Sequence, residues 1–164
     1  MKDRQRELCE LLDKSGASLY ALLTRLTLRE DVAEELMQEI FIKLSKYNGL
    51  RKIQDWNAYA YRAAVNLAFD WRRRQKRACL SLDDVPPLAS KDNSPLINLI
   101  NSEQSQEMLE AISRLNKAPR QAIVMHYIQQ QSYEDIAKQI NKTTHQVRAL
   151  CHNAINRLRD LLGR

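Results

Sequence analysis

Apolar residues recur at three-and-four spacing along most of this chain, the period of a helix with one buried face. Over residues 5–28, Leu8, Leu11, Leu12, Leu19, Leu22, Leu23 and Leu26 predict one or two amphipathic helices, with an interruption expected at Ser15-Gly16. Residues 30–47 put Val32, Leu36, Ile40, Phe41 and Leu44 on one stripe and Glu30, Asp31, Glu34, Glu35 and Glu39 over much of the remainder. Acids early and lysines late agree with the helix dipole, and the acidic face is suited either to solvent or to a basic partner.

Residues 55–77 ask more of one helix. Trp56, Tyr59, Ala60, Ala63, Ala64, Leu67, Ala68 and Trp71 form the expected buried stripe, while Tyr61, Arg62, Asn66 and Phe69 fall opposite and Arg72, Arg73, Arg74, Lys76 and Arg77 crowd the end. Aromatics interleaved with arginines suit a surface that tracks phosphates and stacks bases. Asp55 is the expected N-cap, and the basic loop with Arg51 and Lys52 precedes it. A first helical module is expected over residues 1–79.

The periodicity fails over residues 80–103, where Pro86, Pro87 and Pro95 stop helices, so this segment is read as an acidic linker. It returns in residues 104–164 with Met108, Leu109, Ile112 and Leu115, then with a helix started by Ala118-Pro119-Arg120, Pro119 in its first turn, whose buried face is Ile123, Val124 and Tyr127. Ser132 with Asp135, and Thr143 with Gln146, read as capping boxes on either side of Asn141-Lys142, a turn that needs a left-handed residue. Helix, short turn and longer helix make a helix-turn-helix. Ile136, Ala137, Ile140, Val147, Cys151, Ala154 and Leu158 would lock it together, leaving His145, Gln146, Arg148, Ala149, His152, Asn153, Asn156 and Arg157 outward. Gln, Asn and Arg at the start of such a helix can bond base edges and phosphates in the major groove.

Three glycines and four prolines in 164 residues leave few turns, which makes an all-α protein of two small helical domains the expected fold class. The net charge of +6 is unevenly spread: residues 62–79 hold 6 basic and 1 acidic side chains, residues 80–110 hold 1 and 6, and residues 119–164 hold 7 and 3. Two basic segments flank an acidic one, so an anionic partner is expected. Cys9, Cys79 and Cys151 form no CxxC pair, and His145, Cys151 and His152 do not face one another, so no metal, disulfide framework or cofactor is expected. The charged start and the absence of an apolar run of about 18 residues point to a cytoplasmic protein outside the membrane.

Together these segments resemble a bacterial sigma-70-family factor of the small extracytoplasmic-function type, which keeps only the second and fourth conserved regions. Asp31, Ala33, Glu34, Glu35, Leu36, Gln38, Glu39 and Phe41 match the D-x-A-E-D-L-x-Q-E-x-F pattern of the family's polymerase-binding helix. Trp56, Tyr61, Arg62, Ala64, Asn66, Leu67, Asp70 and Arg72-Arg73-Arg74 resemble its promoter-opening helix. Leu115, Pro119, Arg120, Tyr133, Glu134, Ile136, Ala137, Val147 and Arg148 follow the pattern of its fourth region, with the proline and arginine offset and adjacent. Ala149, Leu150, Cys151 and Asn153 depart from the usual Arg- and Ser-rich recognition helix, and Asn141 stands for the usual turn glycine.

The resemblance implies a factor that binds core RNA polymerase and promoter DNA, a monomer when free, commonly clamped by an anti-sigma factor. Asp31, Glu34, Glu35, Gln38 and Glu39 would meet core polymerase. Arg51, Lys52, Trp56, Tyr61, Arg62, Asn66, Arg73, Arg74 and Arg77 would take the melted strand, and Thr144, His145, Gln146, Arg148, His152, Asn153 and Arg157 would read duplex DNA. No residues resemble a nucleophile with its base or a phosphate-cradling glycine loop, so no enzyme activity is expected. The rival reading is a dimeric helix-turn-helix regulator that binds duplex DNA without polymerase; a helical adaptor with no DNA role is a third.

Overall fold

The computed structural model describes residues 2–47, 53–81 and 103–163. Arg51, Lys52 and most of the expected linker, residues 82–102, lie outside the described residues. Seven α-helices and one π-helical turn occur among the described residues, and the chain divides into two compact units, Met1–Ala68 and Phe69–Arg164.

In the first unit, helix α1 (Lys2–Thr27) and helix α2 (Glu30–Ser45) form a hairpin. The expected break at Ser15-Gly16 is absent, because Ser15 is buried and its Oγ bonds Asn57 at 2.5 Å, while a Cβ on Gly16 would meet only Leu12 at 3.8 Å. The turn instead falls at Leu28, a buried residue with φ 60°. Left-handed backbone is uncommon for a branched apolar residue. It is held by the Leu28 N–H donating to the Thr24 carbonyl at 2.8 Å and by Thr27 Oγ1, which donates to the Leu23 carbonyl at 2.7 Å.

Leu19, Leu22, Leu23 and Leu26 of α1, with Val32, Ala33, Leu36, Ile40 and Leu44 of α2, build the core. Phe41, expected in that stripe, is only half-buried; with Met37, Gln38 and Ile42 it lines a shallow groove, and Ile42 is 54% exposed. Helix α3 (Trp56–Ser81) starts on the expected cap: Asp55 Oδ1 accepts from the Ala58 N–H at 3.1 Å. Its buried residues, Ala58, Ala60, Ala63, Ala64, Val65, Leu67 and Ala68, are mostly small and let neighbouring backbone approach closely.

The second unit takes up α3 from Phe69. Phe69 corrects the sequence reading: placed on the outer face, it is fully buried, with the Arg120 guanidinium 5.4 Å from its ring centroid.

Helices α4 (Glu103–Ser113) and α5 (Lys117–Ile123) lead into a π-helical turn (Val124–Ile128), followed by α6 (Tyr133–Ile140) and α7 (Thr144–Leu162). Ala122, Met125, Ile136, Ala137, Val147 and Cys151 form the unit's core, edged by Tyr133, Ile140 and Leu150. Burial raises the Cys151 thiol pKa, which keeps it protonated and unreactive. Two further expectations fail. Met108 is 41% exposed on α4, and Tyr127 is 53% exposed because the π turn shifts the helical phase after Val124.

Ser132 and Thr143 both cap their helices as expected, but of the two expected capping boxes only the one at Thr143 closes reciprocally. Ser132 Oγ accepts from the Asp135 N–H at 3.1 Å. At α7 the box is reciprocal: Thr143 Oγ1 accepts from the Gln146 N–H at 3.1 Å and Gln146 Oε1 accepts from the Thr143 N–H at 2.9 Å. Asn141 adopts φ 57° and ψ 47°, the left-handed turn.

Candidate functional site

The acidic residues of α2 stand clear of the hairpin core: Asp31, Glu34, Glu35, Gln38 and Glu39 are all exposed. They are not equivalent. Arg29 holds Asp31 with both ends of its guanidinium, Nε to Oδ1 at 3.1 Å and Nη2 to Oδ2 at 2.5 Å, and this hydrogen bonding lowers the Asp31 pKa despite some burial. Free negative charge therefore concentrates on Glu34, Glu35 and Glu39, beside the apolar groove of Met37, Phe41 and Ile42.

At the start of α3, Trp56 is half-buried and belongs to an aromatic cluster that periodicity did not reveal. Tyr47 lies 6.1 Å from Trp56 and 5.5 Å from Tyr59, centroid to centroid, and Trp56 lies 6.3 Å from Tyr59, all edge-on. The Arg4 guanidinium stands 5.9 Å from the Tyr47 ring and 5.6 Å from the Trp56 ring, and it donates to the Tyr47 carbonyl. Tyr47 and Trp56, on either side of Arg51 and Lys52 in sequence, are thus tied together through Arg4 of α1. The signal available in the sequence is an aromatic on either side of the basic Arg51-Lys52 segment.

Further along α3, Tyr61, Arg62 and Asn66 are half-buried, and Arg74 and Arg77 are exposed. Arg72 and Arg73 are engaged within the second unit. Arg72 Nη1 donates to Gln106 Oε1 at 3.1 Å; burial pulls its pKa down to about 10, against the Glu110 carboxylate, so it stays cationic at neutral pH. Arg73 pairs with Asp70 at 3.1 Å and donates through Nε to the Ser113 carbonyl at 3.1 Å. Lys76 pairs with Glu110, which also lies 3.5 Å from Arg114. The basic end of α3 is thus partly engaged by α4.

On α7, Thr144 is half-buried at the first turn, and His145, Gln146, Arg148, His152, Asn153 and Arg157 are exposed along one side, opposite the buried Val147, Cys151, Ala154 and Leu158. Asn156 Nδ2 lies 3.2 Å from His152 Nε2. Arg148 lies 5.5 Å from the Tyr133 ring centroid, and His126 stacks on Tyr133 at 4.2 Å and 14°. His126 and Tyr133 were not assigned to the site from sequence, because the stack depends on the π turn. No group of three metal-ligating side chains occurs among the described residues, and no described helix is long and apolar enough to cross a membrane.

Comparison with known proteins agrees with this layout. The sigma-70 region 2 model matches residues 11–78 and the sigma-70 region 4 model matches residues 105–158. The ECF RNA polymerase sigma factor SigE of Mycolicibacterium smegmatis is 26% identical over 162 residues, covering 94% of this chain and 61% of the relative. The chain thus spans less than two thirds of that relative's length. SigX of Bacillus subtilis, also an ECF RNA polymerase sigma factor, is 23% identical over 155 residues, covering 91% and 80%. Among solved structures, the sigma factor RpoE of Bartonella quintana in complex with the anti-sigma factor NepR aligns with a TM-score of 0.52 at 22% identity, covering 99% of this chain and 98% of that one. CnrH in complex with the cytosolic domain of CnrY gives 0.53 at 18% identity, covering 97% and 89%. With both conserved regions matched in order along an all-helical chain, the protein belongs to the sigma-70 family, in its extracytoplasmic-function form.

Proposed function

We propose that this protein is a sigma factor that binds core RNA polymerase and directs promoter recognition, DNA melting and transcription initiation. The observation that supports the reading is that one chain exposes two sets of groups suited to nucleic acid: Gln146 and Arg148 on a capped helix, and Arg74 and Arg77 on α3, which also carries the half-buried Tyr61 and Asn66. A duplex-binding regulator needs only the first.

In this reading, Glu34, Glu35, Gln38 and Glu39, with Asp31 at the margin, meet a basic surface of polymerase, where charge complementarity sets orientation and on-rate. Met37, Phe41 and Ile42 add apolar area beside them. α7 reads the upstream promoter element as duplex through Thr144, His145, Gln146, Arg148, His152, Asn153 and Arg157. Arg51, Lys52, Trp56, Tyr61, Arg62 and Asn66 take the unpaired strand, holding extruded bases by stacking and by hydrogen bonds to their exposed edges, while Arg73, Arg74 and Arg77 face phosphates.

The proposed boundaries are residues 1–79 for the melting module, 80–103 for the linker and 104–164 for the duplex-reading module. The factor catalyses no bond change, acts in the cytoplasm as a monomer when free, and has an anti-sigma partner, as RpoE does. Run-off transcription with purified core polymerase and a promoter library tests the whole reading. Stimulated initiation from a subset of promoters is expected; no stimulation on any promoter, together with failure to co-purify with core, overturns it.

A further inference from the structure

The side chain of Arg148 is the exposed guanidinium nearest the start of α7, and it does not stand alone. Its Cζ lies 5.5 Å from the Tyr133 ring centroid, within reach of the ring's electron-rich face. The same ring is also stacked: His126 packs on it at 4.2 Å with 14° between the planes, and Tyr127 meets His126 edge-on at 4.8 Å. His126 is itself fixed, since its Nδ1 lies 2.9 Å from the Gln131 carbonyl. A carbonyl can only accept, so Nδ1 carries the proton. The π turn brings His126 to this position, and the residues crossing from it to α6 are held by the Gln131 N–H bond to the Met125 carbonyl at 3.0 Å and by left-handed Gln130, φ 56°.

A free arginine on a helix surface samples many rotamers, and ordering it on DNA opposes binding. A guanidinium held over a half-buried, immobilised ring has fewer to lose. We propose that Tyr133, backed by His126, is a positioning residue for base readout: it presents Arg148 to one base pair of the upstream promoter element. This rests on the duplex-reading role of α7 proposed above. Tyr133 need not touch DNA. The geometry requires the ring and makes the hydroxyl dispensable.

The test uses holoenzyme reconstituted from core polymerase and the full chain, with selection from a library randomised across the upstream element. Arg148→Ala is expected to abolish preference at one base pair. Tyr133→Leu should relax the same base pair by about two- to fivefold, the size of an exposed cation–π interaction, and leave other positions unchanged. Tyr133→Phe should retain the wild-type profile, and Arg148→Ala added to Tyr133→Leu should do no more than Arg148→Ala alone. Should the leucine variant lose its thermal transition, Tyr133→Gln, which keeps this half-exposed site polar, gives the same reading. Uniform weakening across all positions, unchanged preference in Tyr133→Leu, or additive effects of the pair would each overturn the positioning role while leaving sigma function standing. If wild-type holoenzyme selects no upstream sequence at all, the duplex-reading role fails and the inference with it.

Discussion

Arg73 donates through Nε to the backbone carbonyl of Ser113 at 3.1 Å, which sets a cation against the C-terminal end of α4. Unsatisfied carbonyls and the negative end of the dipole make that position favourable for a guanidinium. An arginine expected to serve phosphates thus has a structural task as well. Arg74 and Arg77, one and four residues on, are exposed.

The consequence is a graded response to removing charge. Each of Arg74→Ala and Arg77→Ala is expected to lower the salt slope of single-strand binding by about 0.7, the share of a single neutralised phosphate. Arg73→Ala should lower it less and reduce folding stability by about 0.3–1 kcal/mol, the worth of a cation at a helix C-terminus. Filter binding of holoenzyme to a single-stranded promoter segment over a salt series, with thermal melts of each variant, checks both.

Acid should loosen the second unit through Glu110. The hydrogen bond from Lys76, the nearby charges of Lys76, Arg114 and Arg72, and some opposing desolvation leave its folded pKa below the ordinary 4.5. A carboxyl with a depressed folded pKa contributes stability above its unfolded value, and that contribution is lost as pH falls through the folded one. Glu110→Gln should therefore be less stable than wild type at neutral pH and should lose less between about pH 5 and about pH 3. Urea midpoints across that range make the comparison.

On α2 the paired and unpaired acids should behave differently. Reversing Glu35 and Glu39 to Lys is expected to weaken core polymerase binding by tenfold or more, on the order of 1.4 kcal/mol, with folding spared because both side chains are exposed. Asp31→Asn should weaken binding far less, since Arg29 already neutralises it. Co-purification and competition binding with core measure the two; equal losses would count against the assignment of the free acids.

Asn141, the left-handed residue of the turn, offers a test of stability. At φ 57° its backbone suits Asn or Gly, so Asn141→Ala should destabilise by about 1 kcal/mol and Asn141→Gly should be neutral or slightly stabilising. Chemical denaturation reads both.

Much of this was legible from sequence. Asp55, Ser132, Thr143 and Asn141 act where cap and turn chemistry put them, because each is a local bond between near neighbours. The exposed face of α7 followed from one period: with Val147, Cys151, Ala154 and Leu158 inside, Arg148, His152 and Asn153 must be outside. What escaped was long-range or out of phase. Phe69 is buried against Arg120, a residue remote in sequence, and Tyr127 is exposed because a π turn breaks the period on which its burial was predicted. Arg4 joins Tyr47 and Trp56 by tertiary packing alone, which no spacing records.

The π turn has a consequence for how such a chain can vary. It accommodates one residue more than an α-helical path of the same span, so a single-codon deletion within Val124–Ile128 would restore ordinary helical phase instead of breaking the helix. Tyr127 would swing inward, His126 would leave Tyr133, and Arg148 would lose its backing with no change on α7 itself. DNA preference in this fold is then open to alteration by segment length as well as by substitution.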